Sequence, residues 1–386
     1  MLDYKFRIYP NKHQTYILND MIEIDRLFYN QSLEERIKDR GLKYREQQNN
    51  LPKKRNTLDA LRQLQPLQRI HSQVLQDVLR RLDKAFKAYD RIQVYEKWLH
   101  LINPKHKINP RKGFPKFKRR DRYNSLTYSQ QPGFRLTEGK LKFALVEGLV
   151  RIKMHRIPVG TIKTCTIIWD IDRWFACLSC DSDRPKNNND KTAGIDVGLK
   201  NWMTLDSGEM IDRPRFQDTA IHQIKHVQRS LSRKQKGSNN RKKVKTLSAK
   251  KWRKVRLQRD DYCQKVTTKL AKRFQTIKFE KLNISNMVKG KLAKAIYDAT
   301  WYKLRQLADY KSEVVLVDHR NTTQKCSQCG SLPSQKLPLS VRKYKCERCG
   351  LMIDRDHNAA INIKMGSERA NVIERLYSYF FIFLLI

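Results

Sequence analysis

The chain has 386 residues, of which 81 are Lys or Arg and 38 are Asp or Glu, giving a net charge of +43 and a pI near 10.1. A field of that size excludes a surface indifferent to polyanions and points to an extended nucleic-acid contact, with affinity falling steeply as salt rises. The length accommodates two or three domains with real cores, and MLDYKFRIYP carries charges where a secretion signal needs an apolar run.

Residues 4–9 alternate, with Tyr4, Phe6 and Ile8 on one face, and Pro10 closes this half-buried strand. Asn11 is placed to cap the helix that follows, whose stripe is Ile17, Leu18, Met21, Ile22, Leu27 and Phe28. After a polar stretch from Arg36 to Arg55, a second helical region breaks near Pro66. It resumes through Ile70, Val74, Leu75, Val78, Leu79, Leu82 and Phe86 to about Leu99. Its other face carries Gln73, Gln76, Arg80 and Arg81, side chains able to read base edges or equally to form a solvated face. Residues 111–122, RKGFPKFKRRDR, interleave seven basic residues with Phe114 and Phe117, a composition suited to a strand of nucleic acid.

From Leu126 to Cys180 the period changes. LKFALVE, VRIKMH, TIKTCTIIWDI and RWFACLSC read as successive strands of a small antiparallel barrel that the 4–9 strand joins, with the helices as an insertion. Cys177 and Cys180 face opposite sides of their strand and read as packing residues, as do Cys165 and Cys263. A polar linker, 185–191, precedes TAGIDVGLKNWMTL, a strand carrying Asp196 and then a second strand. No acidic residue lies between Asp218 and Asp260, and the turn signal SRKQKGSNNRKK predicts two long basic helices joined by a loop. A strand ending in Glu280, a helix from Leu292 to Tyr310 and the strand EVVLVD follow.

Cys326, Cys329, Cys346 and Cys349 then form C-x2-C-x16-C-x2-C, a spacing that brings four thiolates to one tetrahedral zinc. Gly330 and Gly350 follow each pair, where positive φ is often needed. Four thiolates leave no open position, so this zinc is structural. Past it, HNAAINI is helical. Asp356 shares a face with Ala359, Ala360 and Ile363, while Asp354 points elsewhere as a cap or supporting group; on this segment alone, both could simply be caps. Asp196, Glu280 and Asp356 together are hard oxygen ligands of the kind Mg²⁺ takes, and such a cluster in a polyanion binder suggests phosphodiester cleavage. The C-terminal LYSYFFIFLLI has 11 residues and is too short to span a membrane as a helix.

KFRIYPNKHQ, RLFYNQSLEER, SQVLQDVLRRLDKAFK, GFPKFKRRDRYNSLTY, GIDVGLKNW, LSRKQKGSNNRKK, FEKLNISNM, TTQKCSQCG and DRDHNAAINI together resemble the TnpB (OrfB-type) family of bacterial insertion sequences, related to type V CRISPR effectors, over nearly the whole chain. The resemblance implies an α/β multidomain fold. A wedge-like antiparallel β-barrel (1–10 and 111–184) would carry a helical recognition insertion (11–110). A RuvC-like domain of the ribonuclease H fold (192–318 and 353–370) would carry an inserted zinc ribbon (319–352), with an apolar tail at 371–386. It implies zinc at the four cysteines and Mg²⁺ at Asp196, Glu280 and Asp356 as catalytic acids of an RNA-guided DNA endonuclease. The expected partners are a guide RNA from the transposon end and double-stranded target DNA, bound by a monomer or dimer in the bacterial cytoplasm near the nucleoid, with no membrane. By resemblance, Gln73, Gln76, Arg80 and Thr127 would read a short motif beside the target. Lys116, Lys118, Arg119, Arg233, Lys234, Arg241, Lys242 and Lys243 would hold RNA and heteroduplex backbone. A guided repressor that does not cut, or a transposase that joins DNA ends, are the alternatives.

Overall fold

The computed structural model describes residues 2–54, 69–182, 189–287, 290, 292–338 and 340–366. The break near Pro66, part of the 185–191 linker and the 371–386 tail lie outside them. The chain divides into two compact units, Met1–Arg184 and Pro185–Ile386.

The first unit is built on an antiparallel sheet of seven strands: β1 (Leu2–Tyr9), β2 (Ser125–Tyr128), β3 (Phe134–Thr137), β4 (Lys140–Phe143), β5 (Val146–Lys153), β6 (Thr161–Asp170) and β7 (Arg173–Asp181). Their order is β2-β6-β7-β1-β5-β4-β3. The alternation in β1 does what it predicts: Tyr4, Phe6 and Ile8 are buried. The sheet curls until its two ends nearly meet. The ring of Tyr128 stacks on Phe143 at 5.8 Å and its hydroxyl donates to the Ala144 carbonyl at 3.1 Å. LKFALVE is not one strand: the chain turns at Leu145, whose φ is +65°, and Val146 begins β5. The strand 134–137 has no counterpart in the sequence reading; its turn into β4 uses Glu138 and Gly139, both at positive φ, the backbone that a two-residue hairpin requires.

Between β1 and β2 run α1 (Lys12–Lys38), α2 (Tyr44–Asn49) and α3 (Ser72–Ile102). Asn11 caps α1 as expected, in a reciprocal pair: its Oδ1 accepts from Gln14 N and Gln14 Oε1 accepts from Asn11 N. Val74, Leu75, Val78, Leu79 and Leu82 of α3 are fully buried. Residues 109–118 are laid along these helices. Tyr89 donates to the Pro110 carbonyl, and the rings of Phe86 and Tyr89 meet Phe114 edge-on at 5.8 and 5.1 Å.

The second unit holds a mixed sheet in the order β10-β9-β8-β11-β12. Its strands are β8 (Thr192–Val197), β9 (Asn201–Leu205), β10 (Met210–Asp212), β11 (Thr276–Glu280) and β12 (Glu313–Val317). β8 is antiparallel to β9 and parallel to β11, which is parallel to β12. The basic segment forms the expected helical hairpin, α4 (Phe216–Arg233) and α5 (Asn239–Arg273). The helix expected from Leu292 to Tyr310 is instead two, α6 (Ala293–Ala299) and α7 (Trp301–Lys311). Thr300 between them is left-handed at φ +53°, and the break leaves the Ala299 carbonyl free to accept from Trp202 Nε1 at 2.7 Å. A small hairpin, β13 (Lys343–Lys345) and β14 (Met352–Asp354), leads into α8 (Arg355–Met365), which packs on β8.

Candidate active site and zinc centre

Gly194 decides how close α8 comes to the sheet. A Cβ there would fall 2.2 Å from the Ala360 carbonyl oxygen and 2.5 Å from Lys364 N, so helix and strand backbones touch. Asp196, two residues on, projects from the same face of β8. Asp356 stands one helical turn before Ala360. Asp356, at the N-terminal end of α8, is near enough for its charge to act on Asp196. Glu280 arrives from the side. β11 runs parallel to β8 in the register Thr276↔Thr192 to Phe279↔Ile195, so Glu280 and Asp196 are the next residues on each strand. They leave the same face of adjacent strands, about 4.8 Å apart along the sheet.

The Asp196 carboxyl lies within the electrostatic reach of the other two. Burial, and then the charges of Glu280 and Asp356, push the Asp196 carboxyl well above the usual range. Burial also raises Glu280, against the pull of the Thr322 hydroxyl, and burial with the charge of Asp354 raises Asp356. Asp196 is the deepest of the three, at 8% exposure, which is why burial acts on it most strongly. Asp354 is the N-cap expected of it: its Oδ1 accepts from Asp356 N at 2.9 Å and His357 N at 3.2 Å. Desolvated, mutually repelling carboxylates are a donor set that fits a hard divalent cation.

Around them stand residues the sequence reading missed. Asp206 accepts from Gly194 N and from Lys364 Nζ, tying β8 to α8. Thr322 donates to Glu280 Oε1 at 2.7 Å. Buried Arg355 donates to the Pro338 and Val341 carbonyls, holding the inserted segment against the helix. The Asn358 and Asn362 pair, spaced i, i+4 in HNAAINI, was the available signal for the polar face of α8.

Among the described residues, Cys326, Cys329, Cys346 and Cys349 are the one set of three or more His, Cys, Asp or Glu whose ligand atoms all lie within 4.8 Å of one another. Cys326–Cys349 and Cys329–Cys346 sulfurs are each 3.6 Å apart. A tetrahedron of ~2.3 Å Zn–S bonds has edges of about 3.8 Å, so the cluster fits zinc closely. The two turns are built alike: Gly330 N donates to the Cys326 carbonyl and Gly350 N to that of Cys346, with φ +75° and +74°. Cys165, Cys180 and Cys263 are buried and Cys177 half-buried, as packing residues.

The proposed nucleic-acid contacts are placed unequally. Gln73 is buried at 7% exposure, its Oε1 without a hydrogen-bond partner, and Thr127 is buried with its hydroxyl bonded to Arg81 Nη2 and Thr166. Gln76 is half-buried, and Arg80 is exposed beside the Tyr44 hydroxyl. Lys116, Arg119, Arg233, Lys234, Lys242 and Lys243 are exposed. Lys118 is half-buried over the Tyr29 ring. Arg241 closes the α4–α5 hairpin by donating to the Leu231 and Lys234 carbonyls. Of the two phenylalanines expected to face nucleic acid, Phe114 is committed to the α3 aromatic cluster and Phe117 remains exposed.

The fold is similar to that of a chain in a solved Cas12f1–sgRNA–target DNA complex. That likeness has TM-score 0.50 at 16% identity, covering 92% of this chain and 83% of that one. The family described as "Probable transposase", of the OrfB type, matches residues 175–291; the Cas12f1-like TNB domain matches 301–363 and a helix-turn-helix domain 1–41. In the structure, the described part of this segment holds the strand Leu2–Tyr9 and one long helix, Lys12–Lys38. A putative RNA-guided DNA endonuclease of Streptomyces pristinaespiralis is 32% identical over 93% of this chain and 88% of its own length. InsQ of Escherichia coli, also a putative RNA-guided DNA endonuclease, is 26% identical over 76% and 73%. The chain belongs to the OrfB/TnpB family of insertion-sequence proteins.

Proposed function

We propose that this protein is an RNA-guided, Mg²⁺-dependent DNA endonuclease of the TnpB type, serving the maintenance of its insertion sequence. The observation that carries this is the convergence of Asp196, Glu280 and Asp356 at one end of the second sheet, each raised by burial and Asp196 also by its neighbours' charge. The names of its relatives support the guided nuclease reading, and the charge of +43 supports a large nucleic-acid partner. In this reading the second unit is a RuvC-like domain with an inserted zinc ribbon, and the first is a wedge-like barrel with a helical recognition insertion.

Asp196, Glu280 and Asp356 would be the residues that hold Mg²⁺, Glu280 from the strand beside Asp196 and Asp356 from α8. Mg²⁺, when bound, supplies a Lewis acid and an activated water at neutral pH. The protein's own part is to hold three oxygen donors rigidly on two strands and a helix, and to hold the scissile phosphate beside them through its basic surface. Arg342 lies 3.7 Å from Asp356 and would offer its guanidinium to a phosphate held beside that carboxylate. The exposed cations of the α4–α5 hairpin and Lys116 and Arg119 would track the backbone of RNA and heteroduplex, while Arg80 and Gln76 stand where a reader of the flanking motif is expected.

The test is cleavage by ribonucleoprotein purified with its own RNA, on targets matching that RNA beside a randomised flank, in Mg²⁺. The wild type cuts and Asp196→Ala does not. A wild type that binds its target but leaves it intact would mean a guided repressor, and joined products would mean a transposase.

A further inference from the structure

Glu280 reaches the carboxylate cluster from the end of a strand, and one side chain sets where it points. Thr322, on the turn after β12 and 6% exposed, has its hydroxyl 2.7 Å from Glu280 Oε1 and 3.3 Å from the carbonyl of His319. It has one hydrogen to give. The shorter contact to a carboxylate is the stronger, so it goes to Glu280. The backbone that presents this hydroxyl is itself gripped by α8. Asn362 Nδ2 donates to the Thr322 carbonyl at 2.9 Å and to that of Lys325 at 2.7 Å. One turn earlier, fully buried Asn358 donates to the Lys325 carbonyl and accepts from Ser327 N, inside the first cysteine turn. The helix that carries Asp356 thus holds the segment whose threonine holds Glu280.

We propose that Thr322 is a positioning residue, fixing the Glu280 carboxylate relative to Asp356 with the first cysteine turn as its anchor. The inference rests on the reading of Glu280 as a metal ligand. It gives the zinc unit a task beyond folding: two of the three acids are aligned through one hydrogen-bonded segment. Without the hydroxyl, a half-buried carboxylate loses a donor and is free to turn toward solvent.

The experiment compares Thr322→Val, which keeps the shape and loses the hydroxyl, with Thr322→Ser, which keeps the hydroxyl. Metal-free crystal structures of the full chain are the first arm. Val shifts the Glu280 rotamer and Ser retains the short contact. In the second arm, guide-loaded Val cleaves roughly tenfold or more slowly at unchanged target affinity and needs more Mn²⁺ for half-maximal rate, and Ser is restored. Glu280 unmoved in Val, or Ser as impaired as Val, would overturn the proposal. If the wild type cuts nothing, the nuclease reading fails while the rotamer arm still decides this one. If Val shows no melting transition, Thr322→Ala removes the same hydroxyl with less bulk and replaces it.

Discussion

Asp196 and Glu280 are lateral neighbours on parallel strands, one residue beyond the last paired positions Ile195 and Phe279, and both carboxyls are raised. Two acids set side by side under a helix strain the metal-free fold electrostatically, and that strain has a measurable sign. A carboxyl raised in the native state keeps its proton where the unfolded chain, with ordinary values near ~4, has lost it. Stability of the metal-free protein should therefore fall as pH rises from about 4 through the raised native values, then level off. Asp196→Asn removes the deepest charge. It should stabilise the metal-free protein at pH 7 by on the order of 1 kcal/mol and flatten that pH dependence, while abolishing cleavage. Thermal melts from pH 4 to 8 check it.

Divalent ions should act oppositely on the wild type. Mg²⁺ or Mn²⁺ binds the native cluster and not the unfolded chain, so the melting temperature should rise with ion concentration. The rise should vanish in Asp196→Asn. Calorimetric scans with and without chelator measure both.

Gly194→Ala is expected to be far worse than a methyl group suggests. The added Cβ meets helix backbone, which has no rotamer to change, so α8 must lift from β8. We expect a loss of at least ~2 kcal/mol and of cleavage, with faster amide exchange confined to α8 and its neighbours.

The cysteine cluster should hold one zinc ion per chain by elemental analysis. Cys346→Ser should lose it and cost roughly 3 kcal/mol or more, because the metal closes a small unit whose buried core, among the described residues, is Tyr344 with Cys326 and Cys346. Asn358 and Asn362 would lose their partners as that unit loosens, so cleavage should fall with it.

In the basic hairpin, residues of like charge should behave differently. Replacing Arg233, Lys234 and Lys243 by Ala should weaken RNA binding and lower the salt slope by roughly 2, with no change in melting. Arg241→Ala should instead lower hairpin stability, because its guanidinium caps the Leu231 and Lys234 carbonyls. Filter binding across a salt series, paired with melts, separates the two.

What the sequence revealed, and what it hid, follows from the range of the interactions. Cysteine spacing, the Asn11 cap and the alternation in β1 are local, and each appears where the residues place it. Asp356 could be singled out from Asp354 because helix geometry fixes which residues share a face. The turn at Leu145 and the left-handed Thr300 were not legible. Ala144 answers to Tyr128 and Gly133, and Ala299 to Trp202, all distant in the chain or supplied only by the fold. The same holds for Gln73 and Phe114, whose polar and basic surroundings in the text gave no sign that they turn inward. Thr322 sits in TTQKCSQCG four residues before Cys326, and nothing in that string says its hydroxyl meets Glu280.

The account stands on Asp196, Glu280 and Asp356 acting as one metal site. Anomalous diffraction from crystals soaked in Mn²⁺ tests this most directly. The prediction is a peak flanked by Asp196 and at least one of its two partners, lost in Asp196→Asn. Manganese bound elsewhere with none between these carboxylates would contradict it.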